Sequence, residues 1–131
     1  MGAQKKILVI DDDEKLLTAT KELLEGEGYK VFTRKEGFGS SAAINYVKPD
    51  LVLLDINMPG ISGDRLAGIL GSFEFAKGIP IVFYSSNDED ILRRAVCAHK
   101  VRGYISKGDM FDLRRKVRFY LSGNGILPQR P

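Results

Sequence analysis

A chain of 131 residues, 44% hydrophobic and 28% charged, has the make-up of one compact globular domain, which argues against disorder and against a membrane span. One cysteine and one histidine leave no disulfide framework and too few soft ligands for a zinc site, so Cys97 and His99 read as structural and the protein as a resident of a reducing cytoplasm. The net charge of +3 is uneven, with ten Lys/Arg against twelve Asp/Glu over residues 1–87 and ten against five over residues 88–131. The C-terminal third is basic, which suits nucleic acid or an acidic partner, though its bases read first as the wet faces of two amphipathic helices.

In chain order, the N-terminal MGAQKK leads into the apolar run Ile7–Ile10, which acids break at once, so it is no signal peptide. That run reads as a strand buried on both faces, and Asp11 to Glu14 open a helix with Leu16, Leu17, Thr20, Leu23 and Leu24 at helical spacing. Gly26 and Gly28 end it. Tyr29–Thr33 is a second strand, Gly37–Val47 a weaker helix, and Lys48-Pro49-Asp50 a breaker. Leu51–Leu54 is the third strand, followed by an Asp55 loop and a helix over about 62–70 with Ser62 as a possible cap. Ile79–Tyr84 is the fourth strand, with Pro80 near its start, and residues 88–99 form a helix. A fifth strand spans about Gly103–Ile105, and a last helix runs over about Phe111–Leu121. Strands alternating with helices, several of the strands apolar throughout, predict an α/β doubly wound parallel sheet of three layers.

In such sheets the site lies at the carboxyl ends of the strands. Here Asp11 and Asp12 leave the first strand, Asp55 the third, Ser85 and Ser86 the fourth, and Ser106-Lys107 the fifth. Each has a dull explanation alone: an acid caps a helix, a serine satisfies a loop, a lysine is solvated. Three carboxylates at one rim, however, repel one another unless a cation joins them. The fitting cation is Mg²⁺, held by one or two carboxylates and a phosphate oxygen. With a lysine and a hydroxyl beside it, that set is equipped for phosphoryl chemistry, and Asp55, ionised at neutral pH, can attack in line without a general base. The following Asn57-Met58-Pro59-Gly60 turn can aim a backbone oxygen at the metal.

The stretches ILVIDDD, LVLLDINMPGISG, PIVFYSS and GYISKG resemble, in order and spacing, the motifs of response-regulator receiver domains over residues 5–122. The resemblance implies a flavodoxin-like (βα)5 sandwich with strand order 2-1-3-4-5. It implies a receiver domain over 1–123, with 124–131 as a short tail or the start of a linker. By position, Asp11 and Asp12 would be the acidic pair holding Mg²⁺ (or Mn²⁺), Asp12 more directly. Asp55 would be the phospho-acceptor and the Asn57 backbone carbonyl a further ligand. Ser85 and Lys107 would contact the phosphoryl group, and Ser85 and Tyr104 would be the switch pair. A histidine kinase or phosphotransfer protein would be the donor.

The face of fourth helix, fifth strand and fifth helix, with Arg93, Arg94, Lys100, Arg102, Arg114, Arg115, Lys116 and Arg118, would receive an acidic downstream protein. Such a domain modifies itself rather than turning over a substrate. Two departures stand out: Gly108 replaces the cis-linked proline common after the lysine, so a trans Lys107–Gly108 bond is expected, and His99-Lys100-Val101-Arg102 replaces small residues. Asn87 is placed to affect access of hydrolysing water. Competing readings are a receiver-type docking scaffold that works unphosphorylated and a magnesium phosphohydrolase, the latter disfavoured because Ile56 and Asn57 replace its D-x-D pattern. Direct DNA binding through Arg114 to Arg118 is not expected, nor is membrane attachment.

Overall fold

The structure is a computed structural model that describes residues 4–37, 39–57, 65–66, 68–70 and 78–122. In order these form β1 (Lys6–Ile10), α1 (Glu14–Gly26), β2 (Lys30–Arg34), α2 (Ser40–Val47) and β3 (Leu51–Leu54). Helical residues 65–66 and 68–70, labelled α3, follow. Then come β4 (Ile81–Ser85), α4 (Glu89–His99), β5 (Gly103–Ser106) and α5 (Met110–Leu121). The five strands make one parallel sheet in the order β2-β1-β3-β4-β5, as expected.

Boundaries shift by a few residues for local reasons. Strand β4 starts after Pro80, which lacks a donor but whose carbonyl accepts from Val52 N–H at 3.0 Å. Helix α2 starts at Ser40 because Gly39, at φ +82°, cannot belong to it. Asp13 caps α1 by accepting from the Lys15 and Leu16 N–H groups, and Asp109 caps α5 through the Asp112 N–H. The Lys107–Gly108 bond is trans, and Gly108 sits at φ +97°, a conformation closed to proline. Lys100, in the replaced loop, closes α4 in the left-handed region at φ 54°. The Met58-Pro59-Gly60 turn, the Ser62 cap and the 124–131 tail lie outside the described residues.

Strand alternation divides the core into two layers. Ile7, Val9, Leu51, Leu53, Val82, Tyr84 and Ile105 face α1 and α5, meeting Leu17, Leu24, Leu113, Val117 and Tyr120. Leu8, Ile10, Val52, Leu54, Ile81 and Phe83 face the other side, meeting Ile44, Leu66, Leu70 and Leu92. Among the described residues no helix is long and apolar enough to cross a membrane.

One close approach decides a side-chain type. A Cβ on Gly103 would lie 2.9 Å from Tyr120 Cζ and well inside contact with its hydroxyl oxygen. Tyr120 is 5% exposed, and burial pushes its phenol up to about 12. Gly103→Ala is expected to destabilise by about 1–3 kcal/mol, since the ring has nowhere apolar to go. Urea denaturation tests this, and adding Tyr120→Phe should return part of the loss.

Candidate functional site

The alternation that builds the core also delivers the site. Asp11, Asp55 and Lys107 each stand two residues beyond a member of the α1/α5 layer, namely Val9, Leu53 and Ile105, so their side chains gather on one side of the sheet rim. Lys107 Nζ lies 2.7 Å from Asp11 Oδ2 and 3.2 Å from Asp55 Oδ2. Carboxylate oxygens of Asp11, Asp12 and Asp55 all lie within 4.8 Å of one another. Asp11 and Asp55 are only 1% and 4% exposed, while Asp12 is open to solvent.

Backbone groups fix the two buried acids. The Asp13 N–H donates to Asp11 Oδ1 at 2.9 Å, and the Asn57 N–H donates to Asp55 Oδ1 at 3.0 Å. The Asp55 rotamer is thus set from both oxygens, one by Asn57 and one by Lys107.

One cation shared between two acids explains the electrostatics. Burial raises the Asp11 carboxyl above its usual 3.8, and the Lys107 hydrogen bond and charge only partly oppose this while Asp55 adds to it. For Lys107 burial acts downward, but the Asp11 hydrogen bond and the charges of Asp55 and Asp11 outweigh it and hold the ammonium above 10.5. The lysine gains from two partners, whereas each acid has half of one. Asp11 Oδ2 is also buried without a well-directed hydrogen bond, which leaves room for a further positive charge. An all-oxygen set of this kind fits a hard divalent ion.

A pH dependence follows from Asp11. Its folded pKa is raised, so in metal-free protein the folded state binds more protons than the unfolded chain above pH 3.8, and stability falls as pH climbs from there through the folded value. Asp11→Asn should therefore stabilise the metal-free protein at pH 7 relative to wild type. Urea melts at pH 4 and pH 7 read the difference, and a variant less stable than wild type at pH 7 would contradict it.

Ser85 stands at the end of β4, fully buried, and its Oγ accepts from Asn57 Nδ2 and from the Asn87 N–H, both at 3.2 Å. Asn57 and Asn87 also exchange amide hydrogen bonds of 2.9 and 3.3 Å, clasping the loops after β3 and β4. The Lys107 N–H donates to the Ser85 carbonyl at 2.9 Å, tying in the loop after β5. Tyr104 shares the sheet face of Ser85, since Phe83 pairs with Tyr104 and Ser85 with Ser106. It is half-buried, with Lys116 Nζ 4.9 Å from its ring centroid and Arg93 beside its hydroxyl.

The structure thus brings Asp11, Asp12, Asp55, Ser85 and Lys107 to one rim and places Tyr104 on the adjoining edge strand. The amide clasp was missed, because only the backbone of Asn57 had been assigned a part. The basic face is less free than residue counting suggests. Arg93 pairs with Glu89 and Asp90, Arg115 and Lys116 with Asp112, and Arg118 reaches Glu27, the C-cap of α1, at 3.7 Å.

Comparison with known proteins agrees with this fold. The family model of the response regulator receiver domain matches residues 7–118. The DNA-binding response regulator MtrA of Mycolicibacterium paratuberculosis is 32% identical over 88 residues, 67% of this chain but only 38% of that protein, so this chain matches well under half of that relative's length. The polar-differentiation response regulator DivK of Brucella ovis is 28% identical over 107 residues, covering 79% of this chain and 84% of DivK. Among solved structures, the response regulator TrrA of Thermotoga maritima, in complex with Mg(2+)-BeF, superposes with a TM-score of 0.76 at 32% identity, covering 89% of this chain and 99% of that one.

Proposed function

This chain belongs to the response regulator receiver domains, and on that footing we propose that it is a phosphorylation-dependent switch in two-component signalling. A phosphoryl group passes from a phosphohistidine on a histidine kinase or phosphotransfer protein to Asp55, and the altered α4-β5-α5 face binds a downstream protein. The observation that carries this reading is the buried Asp55 carboxylate held between the Asn57 N–H and Lys107 beside two further acids.

An Asp55 oxygen attacks phosphorus, a P–O bond forms, and the P–N bond breaks with its electron pair leaving on the donor's imidazole. Lys107 faces the growing charge on the phosphoryl oxygens, and the fixed Asp55 rotamer keeps the attack in line. Asp11, Asp12, Asp55 and the Asn57 backbone carbonyl would hold Mg²⁺ (or Mn²⁺), which when bound supplies Lewis-acid stabilisation of those oxygens. TrrA, crystallised with Mg(2+)-BeF, supports that assignment.

The phosphoryl oxygens then compete for Ser85 and Lys107. Ser85 Oγ accepts two hydrogen bonds in the resting state, so its own proton is available to donate to the phosphoryl group. Drawing Ser85 inward opens space on the face it shares with Tyr104, which turns in and reshapes a groove of about 370 Å³ lined by Arg93, Arg102, Tyr104 and Lys116 among others. The bases there suit an acidic protein. Full conversion from 1:99 to 99:1 takes about 5.5 kcal/mol of differential stabilisation.

Intact-protein mass after incubation with Mg²⁺ and acetyl phosphate tests the proposal. The expected result is a gain of one phosphoryl group, about 80 Da, that chelation of the metal prevents. No adduct from acetyl phosphate or from a phosphorylated histidine kinase would favour the unphosphorylated docking scaffold. Mg²⁺ should also stabilise the fold, by about 2.7 kcal/mol at one hundred times its Kd. Removing an acid from the set in Asp11→Asn should shrink that gain at the same Mg²⁺ concentration.

A further inference from the structure

One buried aromatic beside the reacting groups has no part in the scheme above. Tyr84 is the last residue of β4 on the α1/α5 side, packed with Leu17, Ile105 and Leu113, and is 2% exposed. Its register partner is Ile105, so Lys107, two residues on, rises over the same face. Lys107 Nζ lies 5.9 Å from the Tyr84 ring centroid, inside the range where a ring attracts an ammonium, and the attraction strengthens where water is excluded. The same ammonium bridges Asp11 and Asp55. The Tyr84 ring therefore lies beside the bridging charge, at the outer edge of that range.

The phenol hydroxyl points away from Lys107 toward α1. It faces Thr20 of α1 without closing a well-formed hydrogen bond, since Thr20 Oγ1 is buried and unpartnered. The ring lies within reach of the Lys107 ammonium, and the hydroxyl feels the charges of Lys107 and Asp11 only from a distance.

We infer that Tyr84 is a positioning residue for phosphoryl transfer: its ring backs the Lys107 ammonium and holds it between Asp11 and Asp55, where the incoming phosphoryl group arrives. The inference rests on Asp55 being the acceptor. A residue that merely filled the core would leave the lysine unaffected once the protein was folded.

The test compares wild type, Tyr84→Phe and Tyr84→Leu in the same 131-residue chain. Two properties are read: the proton shifts of the Lys107 ε-methylene by NMR, and the rate of phosphorylation by acetyl phosphate at saturating Mg²⁺. A ring current should move the Lys107 resonances upfield in wild type and Tyr84→Phe but not in Tyr84→Leu. The rate should fall roughly three- to thirty-fold in Tyr84→Leu and stay within about two-fold of wild type in Tyr84→Phe. Wild-type speed in a folded Tyr84→Leu, or an unshifted Lys107 in wild type, overturns the inference. Should Tyr84→Leu fail to fold, the wild-type and Tyr84→Phe shifts still decide. A ring-current shift in a wild-type protein that takes up no phosphoryl group would instead defeat the acceptor assignment, and the inferred role with it.

Discussion

Asp55→Asn is expected to abolish phosphoryl uptake, lowering the rate with acetyl phosphate by at least about 10³-fold while leaving the fold intact. The reason is nucleophilicity: an amide oxygen carries no charge and its nitrogen no free pair, so the substitution removes the attacking atom and nothing else replaces it. Asp11 is buried and its second oxygen is engaged by Lys107. Asp12 is exposed, and phosphorylation there would lack the flanking Asn57 N–H. Stability should change little or rise, because the variant relieves repulsion between Asp55 and the raised Asp11. Intact mass and a urea melt on one preparation separate the two effects. A residual adduct at more than a few per cent of the wild-type level would mean that another carboxylate is the acceptor.

Lys107→Ala should be the most damaging single change at the site for stability. It leaves two buried carboxylates facing each other with no shared cation, and breaking a buried pair costs roughly 3–5 kcal/mol. The Lys107 side chain is 17% exposed, so water reaches the edge of the site and the expected loss is nearer about 2–4 kcal/mol at pH 7. The sign with pH is fixed by the raised folded value of Lys107: its contribution is complete below 10.5 and fades as pH climbs above 10.5 through the raised folded value. Phosphorylation should slow by about 10²-fold, the usual cost of one donor aimed at developing charge. Lys107→Arg should not restore it, since a planar fork cannot occupy the point between two carboxylates that an ammonium fills. A variant as stable as wild type would contradict the shared-cation account.

How far these arguments were visible in the residue order depends on which periodicity carries them. The apolar runs Ile7–Ile10 and Leu51–Leu54 announced buried parallel strands, and acids directly after them announced the rim. Period-two alternation then implies that Asp11, Asp55 and Lys107 share a side, as Val9, Leu53 and Ile105 do. The same rule, applied to the Tyr84–Ile105 pair, would have drawn attention to Tyr84, but it needs the register between β4 and β5, which composition does not supply. The Asn57–Asn87 clasp was out of reach for a different reason: it joins two loop side chains thirty residues apart, and loop positions follow no repeat. Counting bases over the last third overstated the free charge, because helical i,i+3 and i,i+4 spacing puts Asp112 beside Arg115 and Lys116.

The central claim, that chemistry at Asp55 is transmitted to Ser85, Tyr104 and the α4-β5-α5 face, is tested most directly by amide NMR spectra of the protein with Mg²⁺, before and after adding beryllofluoride as a phosphoryl mimic. The account predicts large shifts at Asp55, Ser85, Asn87 and Lys107 and a second group along α4, Tyr104 and α5, all lost in Asp55→Asn. Shifts confined to the immediate surroundings of Asp55, with Tyr104 and the two helices unmoved, would contradict it.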